Sequence, residues 1–549
     1  MRMPKLKYFV FRVTLTSAFL AILFITGCGK KDNDKFSKSG SNPDRTKFPE
    51  YAKTIRLDGK HGFKLRFPFS QDTIAFSDCY HIIYNDKMRI KKIEHLIDGI
   101  IRPDTIFNAA IIEITYDEKS EKRLFYDQYG EPIENNSGVY GELYKYDDKG
   151  RRVTLAGLNR FGGITENIFG VEIEVFEVDR DGKCKKTTFF DEDFNKIADD
   201  TGFHGYNHEY DPDGNEIERS SFDLEGSVVG NRQQIAIYRW KYDENGNIIK
   251  VSYHNKNGYY QQQFTGVSFY TFKYDESGNL IEQQSYTDEE MLTDDNRSAA
   301  IYRWKYDEKS RRIEESLFGI DGIPVSDKFL GAHIIRWDYD DNLNTFTETY
   351  WNTDGKLALN SANIFSVEKK FDPSGNLISI KCLDEKGQLK LNEKTGNIAA
   401  VIYTYDEKGR WIEKRFHGEL DKLKEDVTGI SIIHRKYNEL GLKIEESYHG
   451  CHNQLKGPKK LENEPNNLAG IAIIRWEYDE KGNKISESYL DAEEKLKGDS
   501  HGIAMKRWKY NDDGEIIGLE LLDKNMKRKN LENTFDHKKI GTKIIEKKD

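Results

Sequence analysis

A two-residue signature, Tyr-Asp, returns through most of this chain at a nearly fixed spacing, and that period constrains the fold more than any other feature. Aligned on the Tyr, the anchors are Tyr84, Tyr116, Tyr146, Val178, Tyr210, Tyr242, Tyr274, Tyr306, Tyr339, Phe371, Tyr405, Tyr437, Tyr478 and Tyr510. Nine of the thirteen intervals are 32 residues, and the others are 30, 33, 34 and 41. A period of this length marks one supersecondary unit repeated in series.

The unit reads as a β-hairpin plus a loop. Gly470 to Tyr478 alternates towards its end and is rich in β-branched and aromatic residues, which suits a strand. Asp479-Glu480-Lys481-Gly482 follows, with Asp first and Gly fourth, the pattern of a type I turn closed by a left-handed Gly. Asn483 to Tyr489 is the return strand, and a second polar turn, Asp491 to Glu494, leads towards the next unit. A lone hairpin is marginal in water, so each must bury a face against its neighbours. The register stays open at this level, because a one-residue slip exchanges the Trp476/Tyr478 face for the Arg475/Glu477 face.

The expected fold is therefore all-β, with tandem antiparallel hairpins of about 32 residues in an elongated, twisted sheet or solenoid. The alternative is closure, in which fourteen hairpins make a seven-bladed propeller. Charged residues make up 32% of the 549-residue chain, yet 31 Tyr and 30 Phe are too many for a disordered one.

The N-terminus has a different character. Arg2, Lys5, Lys7 and Arg12 precede the apolar run Ala18 to Ile25, which ends in Ile25-Thr26-Gly27-Cys28. This stretch resembles the leader of bacterial lipoproteins: aliphatic residue, small residue, Gly, then Cys. The resemblance implies cleavage before Cys28, acylation of Cys28 and a palmitate-type membrane anchor. It also implies a cell-envelope location, and Gly29, standing where an inner-membrane retention Asp would be, points to the outer membrane. Acyl chains in combination hold a protein where one would not. Loss of residues 1–28 removes four positive charges and takes the net charge from −10 to −14. That balance disfavours nucleic acid as a partner.

The organisation expected is a leader over 1–28, a Lys/Asp/Ser/Gly-rich tether over 29–50, a β cap over 51–83, the repeat array over 84–528 and a Lys-rich tail over 529–549. The long interval between Tyr437 and Tyr478 places an insertion at about 449–470.

Motifs that carry chemistry are sparse. There is no Gly-rich phosphate loop, His-Glu-x-x-His, Gly-x-Ser-x-Gly or Cys-x-x-Cys. His449, Cys451 and His452 are close in sequence but supply too few ligands for zinc. Asp243, Asn245 and Asn247 have the spacing that opens a calcium loop, yet turn chemistry accounts for each of them. Cys79, Cys184, Cys382 and Cys451 share no repeat phase and read as isolated small residues, with one long-range bridge left open. The Trp stripe (Trp240, Trp304, Trp337, Trp476, Trp508) fits packing better than ligand stacking, since each Trp holds the same place in its unit.

The units Tyr242 to Asn247, Tyr274 to Asn279 and Tyr478 to Asn483 resemble the YD repeats of Rhs-type bacterial surface proteins. Phe125 to Ile133 is similar to part of a longer unit in lipoprotein-type repeat proteins. Rhs units are shorter and their proteins longer, so a toxin-enclosing shell is not carried over. The resemblance implies an extended β architecture at the envelope and transfers no catalytic residue. The expectation is a lipid-anchored, monomeric scaffold for binding or adhesion. It would have no cofactor and no metal, would not be an enzyme, and would take an unidentified protein or glycan as ligand. The alternative is a surface enzyme acting on glycans or peptides.

Overall fold

A computed structural model describes residues 49–57, 59–68, 78–97, 100–460, 468–511 and 516–529. The leader, Cys28, nearly all of the tether, part of the 449–470 insertion and the tail from 530 lie outside the described residues.

The described residues form strands and turns, with one short 3-10 turn at Glu393–Thr395. The chain opens with β1 (Tyr51–Leu57), β2 (Phe63–Pro68), β3 (Asp78–Tyr84), β4 (Ile90–Ile97) and the short β5 (Ile100–Ile101). Hairpins then follow one another from β6 (Ile111–Tyr116) and β7 (Ser120–Tyr126) to β30 (Met505–Tyr510) and β31 (Ile516–Leu522). Among the described strands every pairing is antiparallel, and the pairings run alternately within a hairpin and from one hairpin to the next. Among the described residues the two edges of the sheet, β2 and β31, pair only with β1 and β30 respectively. The sheet is thus one continuous open ribbon, and the propeller alternative is not adopted.

The Tyr-Asp turn forms as its residues dictate. Gly246 N–H donates to Asp243 O at 2.9 Å, Asp243 N–H donates to Asn247 O at 2.9 Å, and Gly246 has φ 68°. The Asp243 carboxylate accepts from Asn247 N–H at 2.7 Å and from Asn247 Nδ2 at 2.9 Å. A β-bulge between Lys241 and Tyr242 follows from the extra residue. Departures from the 32-residue period are local. The 30-residue interval lacks two residues at the turn, where Asp117 N–H bonds directly to Ser120 O, and its hairpin has no bulge. The 34-residue interval holds the Glu393–Thr395 turn.

The register places Trp240 opposite Val251 and Tyr238 opposite Tyr253, so Tyr238, Trp240 and Tyr242 share one face. Tyr238 and Trp240 are buried and Lys241 is exposed. The opposite face carries an ion-pair ladder that steps between repeats. Glu282 binds Lys273 at 2.6 Å and Arg303 at 2.9 Å. Glu314 binds Lys305 at 2.7 Å and Arg336 at 2.8 Å, and Glu445 binds Lys436 at 2.8 Å and Arg475 at 2.7 Å. Such exposed pairs contribute about 0–1 kcal/mol each.

The aromatic face is concave. The connection from β1 to β2 crosses it: Gly59 O accepts from Cys184 N–H at 2.8 Å, Lys60 O from Arg152 at 3.0 Å and His61 O from Arg123 at 2.5 Å. Three residues reach about 10 Å. The strands they touch, β7 to β11 (Cys184–Phe190), would span about 19 Å if flat. The Arg123 and Arg152 side chains bridge part of that difference, and curl of the sheet takes up the rest.

The curl carries the ribbon round to meet itself. Gln128 Nε2 donates to Asn376 Oδ1 at 3.2 Å, and Arg160 donates to Leu440 O at 2.7 Å. Glu131 is 3.0 Å from Lys408. A Cβ built on Gly409 would fall inside the Tyr129 ring, and one on Gly482 inside the Phe161 ring. Loop tips of an early coil therefore sit on Tyr-Asp turns of a later one.

Candidate binding surface

The inner face holds the Trp stripe, and three of its five indoles are bonded to a Glu on the facing strand. Trp304 Nε1 donates to Glu315 at 2.8 Å, Trp337 to Glu348 at 3.2 Å and Trp476 to Glu487 at 3.0 Å. Tyr350 donates its hydroxyl to Glu348 at 2.6 Å, Tyr448 does so to Glu446 at 2.6 Å, and Tyr489 bonds Glu487. Each of these Glu stands nine residues after its anchor. In the sequence that recurrence is hidden among many surface Glu. The stripe is a packing ladder with a buried acceptor in each such unit, not an open stacking platform.

Towards the N-terminus the inner face is more polar. Arg123 is 1% exposed and donates to Glu121 at 2.7 Å, with its guanidinium 4.3 Å from the centres of the Phe63 and Tyr144 rings. His61 stacks on Phe176 at 4.2 Å. Burial, with the nearby charges of His208 and Arg123, pushes the His61 imidazole down to about 3. Thr187 Oγ1 lies 2.9 Å from His208 Nε2, whose Nδ1 lies 2.5 Å from Glu216. The order is hydroxyl, imidazole, carboxylate, but Thr187 is 3% exposed and Arg219 already binds Glu216 at 2.6 Å. Burial raises the Glu216 carboxyl and Arg219 and His208 outweigh it, holding it at about 2. The hydroxyl is closed off and the carboxylate is committed, so the cluster is a buried network. Beside it, burial and the charge of Glu142 push Glu174 up to about 7, against the pull of Arg219.

The residues singled out in the sequence do not converge. His449 bonds Ser447 Oγ at 3.0 Å and Asn453 O at 3.2 Å, Cys451 Sγ lies 3.1 Å from Ser431 Oγ, and His452 is exposed. Among the described residues no group of three His, Cys, Asp or Glu could hold a metal ion. Asp243 spends its carboxylate on its own turn. Cys79, Cys184, Cys382 and Cys451 are all free thiols, so the bridge left open by the sequence is absent among the described residues.

What remains open to a ligand is the rim formed by the loops between hairpins. Among the described residues, all the large exposed apolar side chains except Ile249, Leu343, Leu440 and Ile517 lie there. Phe264 is 88% exposed, Leu420 80% and Tyr259 72%. Each loop is a pair of tight turns around one bridge, as in Tyr286 with Leu292, and has no room to bury these side chains. Contiguous exposed apolar surface marks interaction sites.

No protein-family model matches the chain, and no curated protein matches it. Among solved structures it is similar to the TcdB2-TccC3-Cdc42 complex, at 12% identity over 86% of this chain and 28% of that one, with a TM-score of 0.27. It is also similar to a Photorhabdus luminescens Tc holotoxin pore (11%, 84% and 26%, TM-score 0.26) and a porin-like protein from Bacteroides uniformis (10%, 61% and 91%, TM-score 0.17). The chain spans under a third of the length of those toxin chains. Likeness at these scores carries no functional argument.

Proposed function

We propose that this protein is a lipid-anchored scaffold of the bacterial cell envelope that binds a protein or glycan through the loop rim of its coil. The observation behind the rim is the concentration of exposed apolar side chains in the inter-hairpin loops, including Tyr259, Phe264 and Leu420. The inner face is occupied by its own Trp–Glu and Tyr–Glu bonds, and the outer face by ion pairs. The anchor is supported by Ile25-Thr26-Gly27-Cys28 in the sequence.

A photo-cross-linking residue placed at Tyr259 or Phe264 of the full chain in cells should give adducts. The same residue at Lys241 or Lys305, on the outer face, should not. Adducts confined to the outer face would overturn the rim. For the anchor, Cys28→Ser should lose a metabolic palmitate label and leave the membrane fraction, and a variant that keeps both would overturn the lipid attachment.

A further inference from the structure

The seam within the chain shows what chemistry the loop rim accepts. Tyr129 and Phe161 lie against the glycines of two Tyr-Asp turns, Gly409 and Gly482. Around them, Arg160 reaches Leu440 O, Glu131 meets Lys408 and Gln128 meets Asn376. An aromatic ring on a bare left-handed Gly, ringed by polar bonds, is the unit of this contact. Gly409 has φ 69° and Gly482 has φ 80°, so both offer backbone unobstructed by a side chain.

The same two rims occur uncovered elsewhere. The loop rim from Leu224 onwards shows Leu224 at 53% exposure, Tyr259 at 72%, Phe264 at 88%, Met291 at 56% and Ile320 at 57%. On the turn rim of the early repeats the open position is Gly150, which is exposed together with Asp148 and Lys149. Gly150, with φ 73°, has no atom within 4 Å of a built Cβ, in contrast to Gly409. The molecule thus ends one seam half-used on each side.

We propose that the occupant of the open loop rim is the Tyr-Asp turn rim of a second copy of this chain, continuing between molecules the seam that each already makes within itself. This inference rests on the reading of the loop rim as a binding surface and names its partner. The two rims are different patches, so the contact is heterologous. Copies add head to tail, and assembly does not stop at a pair. Inside the chain Tyr129 and Phe161 stand one repeat apart and meet glycines two repeats apart, Gly409 and Gly482, while Glu131 and Arg160 take the Gly441 turn between them.

The test uses the full-length acylated protein in detergent. Sedimentation velocity across a concentration series should show a mean mass that rises with concentration. Phe264→Glu should weaken association roughly tenfold, the loss of one buried aromatic anchor. Gly150→Asn on the opposite rim, at a left-handed position that Asn tolerates, should weaken it similarly. Both sites are exposed, so unchanged circular dichroism and melting should accompany the effect. A photo-cross-linker at Phe264 should form adducts with the Tyr-Asp turns of another copy. A mass that stays monomeric overturns the inference. With that result, adducts from Phe264 to a different envelope protein leave the rim reading intact, and no adduct at all removes both. Adducts to residues 530–549 of the same chain also overturn it, since the tail would then cover the rim.

Discussion

The hydroxyl of Tyr306 donates to the carbonyl of Leu280, 2.8 Å away in the preceding hairpin. The bond recurs from Tyr116 to Ile90, Tyr242 to Glu216, Tyr274 to Ile248, Tyr339 to Arg312, Tyr405 to Leu377, Tyr437 to Trp411, Tyr478 to Lys443 and Tyr510 to Lys484. Its cause is a short ladder. Between β17 (Leu280–Tyr286) and β18 (Ile301–Tyr306) only Glu282–Gln284 pair with Ile301–Arg303, which leaves the Leu280 carbonyl beyond the last rung. The anchor Tyr supplies the missing donor, as buried carbonyls require. Val178 departs from the pattern, with a three-pair ladder and no hydroxyl, whereas Phe371 and Tyr146 depart from it by the same logic. Before Phe371 and Tyr146 the hairpins have no bulge, and the ladder to the next repeat runs to five pairs. Phe371 has no hydroxyl, and Tyr146 turns its own to Glu121 at 2.6 Å. Tyr306→Phe is therefore expected to cost about 1 kcal/mol, and Phe371→Tyr to change stability by less than about 0.5 kcal/mol. Repeat arrays need not unfold in one step, so native-state hydrogen exchange at the β17–β18 amides is the measurement.

The two carboxylates Glu314 and Glu315 are neighbours in sequence on opposite faces of one strand, and their removal should differ sharply. Glu315, 3% exposed at its side chain, accepts from Trp304 and from Arg297 at 2.9 Å. Glu315→Ala leaves an indole N–H and part of a buried guanidinium without an acceptor, at about 3 kcal/mol or more. Glu314 faces outward between Lys305 and Arg336, and Glu314→Ala should cost about 1 kcal/mol or less. Urea denaturation of the pair of variants checks the contrast, and the Glu314 effect should shrink in high salt.

The repeated turn was legible because its chemistry is local: Asp243 caps its own turn and Gly246 supplies positive φ, and neither needs a distant partner. Strand identity followed from the same short range. The register was not legible, since Ile237 and Trp240 lie on opposite faces and both are buried. In three units a bond between strands, Trp to Glu, marks the inner face, and its acceptor looks like any surface Glu in the sequence. The seam was out of reach for another reason. Arg160 and Leu440 are 280 residues apart and meet only because small curvatures add over many hairpins. The cap expected over 51–83 contains the β1–β2 connection that enters the concave face, a placement that follows from the curl as well. The polar cluster around Glu216 belongs to repeats whose Trp position is held by Phe176 and His208, and those substitutions were the available signal.

Acid should loosen the β1–β2 connection before the array. His61 is held at about 3 and His208 is lowered too, in both cases first by burial. A folded-state value below the ordinary 6.5 means that the unfolded chain takes up protons first. Stability contributed by these neutral imidazoles is complete above about pH 6.5 and is lost progressively as pH falls towards about 3. The protection factor of the Cys184 amide, which donates to Gly59 O, should fall between pH 7 and about 4, once its rate is referred to the intrinsic rate at each pH. His61→Gln keeps the carbonyl that Arg123 holds and should flatten that pH dependence. An unchanged slope in His61→Gln would assign the effect to other groups.

Glu174 carries the opposite sign and separates the two contributions. Burial first, then the charge of Glu142, raises its carboxyl to about 7. Between the ordinary carboxyl value and about 7 the folded protein holds a proton that the unfolded chain has released. Folding is thus favoured at lower pH, and stability falls as pH rises from about 4.5 to about 7. Above that window the folded state carries an unwelcome negative charge beside Glu142. Glu174→Gln removes the charge and keeps the shape. At pH 8 the variant should be more stable than the natural protein by on the order of 2–3 kcal/mol, and at pH 4 the two should coincide. Denaturant titrations at both pH values read this directly. A stabilisation of equal size at pH 4 and pH 8 would mean that Gln gains a bond of its own, and the charge on Glu174 would then have no part in setting stability.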